Sequence, residues 1–460
     1  MAMKKASGSD DTIFARASGA GRAGVAVFRI SGPDAAEISK TLSGAHSEPK
    51  RARLRPIRDG TGDLIDQGLV ILFRAPASFT GEDVCELHLH GSPAVEAALF
   101  EALARLGARP AEAGEFTRRA LLNGKMDLAE VEGLSDLIEA ETTLQRKQAL
   151  GQVAGGLSAA SEGWRSRLIA ILAPLEADID FPDEEGIPAA IAARAGPEIE
   201  ALIGELEATL TSASKAQAIR EGVRVAIIGP PNAGKSSLLN RLSGSERAIV
   251  SDQPGTTRDI IEARLDLSGA LVTLFDTAGL RGAPRDAIEE EGIRRARNTA
   301  EQAEIRILIN DVSDVSFQDS SVSRETSSDA YGLLKPGDII VRNKSDRLAD
   351  GTKLPAGRAG DLLLSAKTGE GVEALLALLS DRVSALCGRI DGPALSRARH
   401  EAAVREAIDH LCAALGRIAV APELAAEDVR LAARALGRIT GAVGVEDVLD
   451  AIFSSFCIGK

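Results

Sequence analysis

Cysteine is scarce: the 460 residues hold 4, scattered as Cys85, Cys387, Cys412 and Cys457. That excludes a disulfide-stapled fold and points to free thiols in a reducing cytosol. No apolar run reaches the ~18 residues of a membrane span. The opening Met1-Ala2-Met3-Lys4-Lys5-Ala6-Ser7-Gly8 lacks the apolar centre of a secretion signal. The expected location is cytoplasmic, with no membrane contact. Positive charge is not in excess either, since 54 Lys and Arg face 67 Asp and Glu, a net charge of −13. This argues against coating nucleic acid by bulk electrostatics. Glycine, at 45 residues, is far below a collagen-like share. What is there, 44% apolar and 26% charged residues, is ordinary for a globular chain, and the length predicts two to four domains.

Residues 12–125 alternate short β-like runs with Gly and Pro turns. Examples are Gly24–Ile30, Gly68–Phe73 and Val84–His90. A helical pattern at 94–106 makes this N-terminal part, residues 1–125, an α+β domain. From 126 to 221 the pattern is helical, with Leu128, Val131, Leu134, Leu137 and Ile138 three to four apart. A Pro/Gly turn at Asp180–Gly186 interrupts it. Residues 222–384 alternate strands and helices, as a parallel sheet requires. Residues 385–460 return to helix. The fold class expected is therefore multidomain: an α+β domain, then an α-helical bundle with an α/β domain inserted into it. The Ser- and Asp-rich stretch 310–337 reads as a surface loop.

The inserted domain carries the chemistry. Strand-like Val223–Ile228 runs into Gly229-Pro230-Pro231-Asn232-Ala233-Gly234-Lys235-Ser236, and Ser237-Leu238-Leu239-Asn240 opens a helix. This is the P-loop pattern in its strand–loop–helix setting. Its glycines turn backbone N–H groups toward phosphate oxygens, and the helix N-terminus adds positive potential. Lys235 is expected on the β/γ-phosphates and Ser236 on Mg²⁺. Leu271–Phe275 then leads into Asp276-Thr277-Ala278-Gly279. Asp276 suits the Mg²⁺ environment and Gly279 a γ-phosphate N–H. Asp338–Arg342 leads into Asn343-Lys344-Ser345-Asp346, and Leu362–Leu364 into Ser365-Ala366-Lys367. Asp346 can accept from guanine N1–H and its exocyclic amine, which adenine does not offer. GTP is the expected nucleotide, bound at the carboxyl ends of the strands. Ser251-Asp252-Gln253-Pro254-Gly255-Thr256-Thr257-Arg258-Asp259 is the first switch candidate, with Thr257 completing the Mg²⁺ shell.

One absence is informative. Ras-like GTPases place a water-orienting Gln directly after D-x-x-G. Here Leu280 stands there and cannot hydrogen-bond water. Hydrolysis then needs a remote group and another positive charge. Asn232 offers a carbonyl oxygen near the β/γ bridge, where a monovalent cation could act as an arginine finger does elsewhere.

The chain resembles the tRNA modification GTPases called MnmE or TrmE. The resemblance rests on P-N-A-G-K-S-S, G-T-T-R-D and D-T-A-G-L-R in the inserted domain. Outside it, Gly19–Arg22, Arg29–Gly32, Phe79–Val84, Gly114–Thr117, Asp180–Glu185 and Phe453–Lys460 match, in order along the whole chain. The resemblance implies an FAD-dependent partner, MnmG. With it the family builds an aminomethyl-type group, such as carboxymethylaminomethyl, at C5 of the wobble uridine (U34) of certain tRNAs. The carbon comes from 5-formyl- or 5,10-methylene-tetrahydrofolate. It places Arg29, Glu86, Lys125 and Lys460 on folate-contacting positions, and makes the N-terminal domain a folate-binding homodimer contact. It implies K⁺ held by Asn232, Ser251, Gln253 and Thr256, and GTPase domains that dimerise across that ion. The family usually carries Thr where Ser251 stands. The remote catalytic glutamate falls on Glu289, with Glu290 and Glu291 as alternatives because one extra residue separates Gly279 from Gly292. Arg258, Asp259 and Cys457 complete the catalytic assignments, the role of Cys457 being open.

Other features read more plainly. Cys457-Ile458-Gly459-Lys460 only superficially fits a prenylation signal. His88 and His90 share one strand face but lack further ligands for zinc. Cys85, Cys387 and Cys412 read as packing residues. Lys50–Arg58 carries five of its nine residues as Arg or Lys. It reads either as a contact to tRNA phosphates or as a solvated loop without aromatics for stacking. A net acidic chain should leave most tRNA phosphates to the partner. A rival function is a GTP-switched ribosome or RNP assembly factor, which would need neither the folate residues nor the F-C-I-G-K end.

Overall fold

The computed structural model describes residues 11–180, 194–249, 262–276, 297–312, 332–348, 361–390 and 392–442, with single residues 294, 449, 453, 456 and 459. The chain divides into two compact units. One comprises residues 1–135, 152–199 and 409–460; the other comprises 136–151 and 200–408.

The first unit is built on six strands: β1 (Ile13–Arg16), β2 (Ala23–Ser31), β3 (Arg53–Arg58), β4 (Leu64–Phe73), β5 (Val84–Gly91) and β6 (Arg109–Pro110). Their order is β3-β4-β5-β2-β1-β6, antiparallel throughout except for the parallel β1–β6 pair. Alternation decides the faces. In β5, Cys85, Leu87 and Leu89 are buried, while Glu86 and His88 turn to the other face. The apolar face packs with Phe28, Ile30, Ile57 and Val70 against Ile38 and Leu42 of α1 (Ala35–Ser43) and Leu99 and Leu103 of α2 (Pro93–Arg105). Helix α2 starts where Ser92 Oγ accepts from the Val95 N–H at 3.2 Å and Pro93 fills the first turn. At Gly68 a Cβ would stand 2.2 Å from the His88 carbonyl oxygen, so β4 and β5 approach there only without a side chain. The basic stretch 50–58, read as a loop or patch, contains the edge strand β3. Pro56 is tolerated there because an edge strand has one unpaired side.

Helices follow: α3 (Glu115–Leu122), α4 (Leu128–Glu139), α5 (Thr143–Val153), α6 (Gly156–Asp180) and α7 (Ala195–Glu221). In α6, Trp164, Leu168, Ile171 and Leu175 are buried at four–three–four spacing, the stripe a packed helix needs.

The second unit holds β7 (Val223–Ile228), α8 (Lys235–Ser243), β8 (Glu262–Leu267), β9 (Ala270–Asp276), β10 (Ile305–Asp311), β11 (Ile339–Asn343), β12 (Asp361–Leu363) and α9 (Val372–Leu386). Strand order is β12-β11-β10-β7-β9-β8, parallel apart from the β8–β9 hairpin. Four consecutive buried residues end β7, and six run through β10, as expected for strands covered on both faces. The Ser/Asp-rich stretch 310–337 begins inside β10, and its residues 313–331 lie outside the described ones.

The chain continues through α10 (Ala398–Arg417) and α11 (Pro422–Thr440). Helix α11 lies on α6; its Ala425, Val429, Ala432, Leu436 and Ile439 are buried, and Ser161 Oγ donates to the Leu436 carbonyl at 3.2 Å. Among the described residues no helix is long and apolar enough to cross a membrane. Cys85 and Cys387 are buried, and burial pushes their thiols up to about 12 and about 11. Cys412, expected to pack, is exposed because it sits on an uncovered face of α10.

Candidate functional site

The loop between β7 and α8 is held open by glycine. Gly229 adopts φ +146°, and a Cβ there would lie 2.2 Å from the Ile309 carbonyl oxygen on β10. Gly234 adopts φ +102°, and its Cβ would strike Asn343 Nδ2 at 2.1 Å. Only glycine allows both approaches. Lys235 is buried, and its Nζ donates to the carbonyls of Gly229 at 2.8 Å and Pro230 at 3.0 Å. The ammonium therefore sits inside the arch of the loop. Ser236 Oγ donates to Asp276 Oδ2 at 2.6 Å, joining the start of α8 to the end of β9. Asp276 is 8% exposed, and its Oδ1 is buried with no hydrogen-bond partner among the described residues. A buried anionic oxygen left in this way costs free energy unless a cation or water meets it. Oxygen donors from a serine and an aspartate fit a hard divalent cation such as Mg²⁺. Asn232 and Ser237 are exposed, and Asn232 takes φ +61° at the loop's outer rim.

Asn343 is the staple of the second half of the site. It is 2% exposed; its Nδ2 donates to the Ala233 carbonyl at 2.7 Å and its Oδ1 accepts from the Ala366 N–H at 2.9 Å. One side chain thus ties the phosphate loop, β11 and the loop after β12 together. Lys344 adopts φ +69° and pairs with Asp311 at 2.6 Å. Asp346 is exposed. Its Oδ1 accepts from Ser365 Oγ at 2.6 Å, which holds the carboxyl below the ordinary aspartate value. Ser365 is fully buried and also accepts from the Thr368 N–H at 3.2 Å. The carboxylate is thus oriented and ionised. Arg241, which no motif singled out, donates to the carbonyls of Ala366 and Lys367 and braces that loop from α8. Its signal in the sequence is only a basic residue in the last turn of the P-loop helix.

The first unit holds a second polar constellation on the open face of its sheet. Arg29 and Glu86 are register partners on β2 and β5. The Arg29 guanidinium donates to Glu86 Oε1 at 3.1 and 2.9 Å, and each side chain keeps about a fifth of its surface, 20% and 18%. The same guanidinium lies 5.2 Å from the Phe79 ring centre and 5.7 Å from that of Phe116, within cation–π range. His88 Nε2 stands 3.5 Å from Glu86 Oε2. Lys125 is exposed, and its Cγ and Cδ would meet a Cβ placed on Gly81 at 3.2 and 3.3 Å. Below, Glu82 accepts from Ser31 Oγ at 2.7 Å and from Arg119 at 3.1 Å; Arg119 also reaches Asp11 and Glu115. Burial alone would raise Glu115, but hydrogen bonds from Arg109, the Glu112 N–H and Arg119 outweigh it and hold the carboxyl below its ordinary value. No sequence motif assigns Phe79, Phe116, Glu82 or Arg119 to this site. Only the pairing of distant strands reveals them.

Among the described residues no group of three metal-ligating side chains occurs, and His90 is taken up by Asp66 at 2.9 Å. Ser251, Asp252, Gln253, Pro254, Gly255, Thr256, Thr257, Arg258, Asp259, Thr277, Ala278, Gly279, Glu289, Cys457 and Lys460 lie outside the described residues. Gly459 is described: it adopts φ +102°, and a Cβ on it would fall 2.0 Å from the Arg16 carbonyl oxygen at the end of β1. Phe453 and Phe456 pack with Val131. The tail therefore reaches the sheet that carries Arg29.

The family described as the N-terminus of GTP-binding protein TrmE matches residues 12–125, and that described as the MnmE helical domain matches 128–457. The tRNA modification GTPase MnmE of Parvibaculum lavamentivorans is 51% identical over 459 residues, covering 98% of this chain and 100% of that protein. Those of Paramagnetospirillum magneticum and Maricaulis maris are each 49% identical, covering 98% of this chain and 100% and 99% of theirs. With an N-terminal α+β domain, a helical domain and an inserted P-loop domain matched over nearly its full length, the chain belongs to the MnmE family of tRNA modification GTPases.

Proposed function

We propose that this protein hydrolyses GTP as part of a complex that modifies C5 of the wobble uridine of certain tRNAs. The observation that supports it most is 51% identity over nearly its full length to a tRNA modification GTPase, together with a formed phosphate loop facing Asp276. In this reading the loop N–H groups of 229–236 bind the β-phosphate. Lys235 exchanges the Gly229 and Pro230 carbonyls for β/γ oxygens. Ser236 and Thr257 would hold Mg²⁺, with Asp276 orienting its surroundings; when bound, that ion would neutralise charge developing on the phosphates. Asp346 reads the guanine edge with Ser365-Ala366-Lys367 behind it. Water attacks the γ-phosphorus, the bond to the bridging oxygen breaks, and GDP and phosphate leave. Glu289 positions that water. Asn232, Ser251, Gln253 and Thr256 would hold K⁺, which would supply the positive charge that an arginine finger supplies elsewhere, while Glu289 takes the water-orienting part that Leu280 cannot play.

The N-terminal domain takes the tetrahydrofolate carbon donor. Arg29, Glu86 and Lys125, with Lys460, are its contacts. The mixed set of one carboxylate, one guanidinium and two phenyl faces fits a flat, hydrogen-bonding pterin with an anionic tail. Cys457, Arg258 and Asp259 complete the reaction centres. An FAD-containing MnmG-type protein is the partner, the N-terminal domains form the homodimer, and the location is cytoplasmic. Mass spectrometry of wobble uridines from a deletion strain tests this. Loss of the C5-aminomethyl-type group is expected; unchanged uridines would leave a GTP-switched assembly factor as the better reading.

A further inference from the structure

Strands β8 and β9 form a hairpin registered from Glu262 with Phe275 to Leu267 with Ala270. One end of the hairpin bears Asp276, bonded to Ser236 at the phosphate loop. The other end, the Ser268–Gly269 turn, is docked on helices. The Gly269 carbonyl accepts from the Leu144 N–H at 2.9 Å, in the first turn of α5. Ser268 Oγ lies 2.6 Å from Ser380 Oγ on α9. Back along β8, Arg264 is paired with Glu141, just before α5. The turn itself is fixed: Ser268 and Gly269 take φ +55° and +84°, and Gly269 N–H donates to Asp266 Oδ1 at 2.7 Å.

The start of α5 is equally constrained. Gln145 Oε1 accepts from the N–H groups of Glu141 and Thr142 at 3.0 and 3.1 Å, and its Nε2 donates to the Arg220 carbonyl of α7 at 3.0 Å. Gln148 Nε2 donates to the Ala216 carbonyl at 2.9 Å. The first N–H groups of a helix have no partner within it, and Leu144 gives its own to the hairpin. At about 3.4 Å per residue β9 is a rod of roughly 20 Å, paired on both sides by β7 and β8. That pairing makes β9 a stiff connection between the turn and Asp276.

We infer that this turn and the start of α5 form a coupling point that sets the placement of Asp276, with Arg264 and Glu141 as its positioning residues. The inference rests on the GTPase reading above. Coupling is reciprocal: Mg²⁺-nucleotide at Asp276 changes the hold on α5, and a change in the hold on α5 changes Mg²⁺ affinity.

The test uses the full chain as wild type, Glu141→Arg, Arg264→Glu and the double reversal. GTP hydrolysis is measured against free Mg²⁺, and hydrogen exchange of residues 142–150 with and without Mg²⁺-GDP. Each single reversal should raise the Mg²⁺ concentration for half-maximal rate at least about five-fold, with KM for GTP within about two-fold. The double reversal should recover the wild-type value. Nucleotide-dependent exchange at 142–150 should appear in wild type and the double reversal and vanish in the singles. Where a reversal fails to fold, Glu141→Gln and Arg264→Gln are read instead, with a shift of about two-fold in the same direction. Singles indistinguishable from an active wild type, or a folded double that does not recover, overturn the inference alone. A wild type without GTP hydrolysis overturns the GTPase reading and this inference with it.

Discussion

The two polar sites of this chain are built in opposite ways. The nucleotide loop is made of backbone, and its shape is written in consecutive residues: Gly229 and Gly234 stand where a Cβ would collide with Ile309 and Asn343. The Arg29 constellation is made of side chains from β2, β5, the 79–82 segment and α3, which meet only when strands pair. Function that depends on backbone N–H groups must fix a short stretch of sequence. Function that depends on side-chain functional groups can draw them from anywhere the sheet brings together.

The largest effect that would sharpen this contrast is at the phosphate loop. Lys235→Ala removes the ammonium inside the arch and should lower kcat for GTP hydrolysis by about 10³-fold or more. Binding of tetrahydrofolate should stay unchanged, as read by calorimetry. A parallel loss of folate binding would mean the two sites are not separate. Next comes Asp346→Asn, which replaces an ionised acceptor held by Ser365. GTP affinity should fall roughly 30- to 150-fold in a fluorescent-nucleotide titration. Arg29→Ala frees Glu86 and removes the charge between Phe79 and Phe116. Folate affinity should fall about ten-fold or more while GTP hydrolysis stays within about two-fold. The smallest effect concerns pH. Glu115 is held below its ordinary value, so its contribution to stability is present above the unfolded-state value near ~4.3 and is lost as pH falls through the folded-state value. Thermal melts should therefore fall more steeply between about pH 5 and 3 for wild type than for Glu115→Gln, by about 3 °C.

The same contrast explains what could be read in advance. The parallel sheet with its inserted position was legible, because Val223–Ile228 and Leu271–Phe275 are largely apolar runs and each motif sits at a strand end. The N-K-x-D motif marks Asn343 as part of the guanine site, but its bond to Ala233, far away in sequence, shows only in the fold. Arg29 opposite Glu86 was reachable only through the family resemblance, since register is a property of the folded sheet. Arg119 among Glu82, Asp11 and Glu115 left no local signature at all. The basic stretch 50–58 misled in a physical way: alternating Arg in an edge strand looks the same as a solvated loop, because charge is how an exposed edge is protected. Cys412 misled for a simpler reason, a thiol being small enough to sit on either face of an amphipathic helix.

The most direct measurement is phosphate release by the full chain given GTP or ATP with Mg²⁺, in potassium and in sodium salt. Release from GTP in potassium, slower release in sodium and none above blank from ATP is the result expected. Equal rates with GTP and ATP would contradict the guanine assignment of Asp346, and equal rates in the two salts would remove the cation assigned to Asn232.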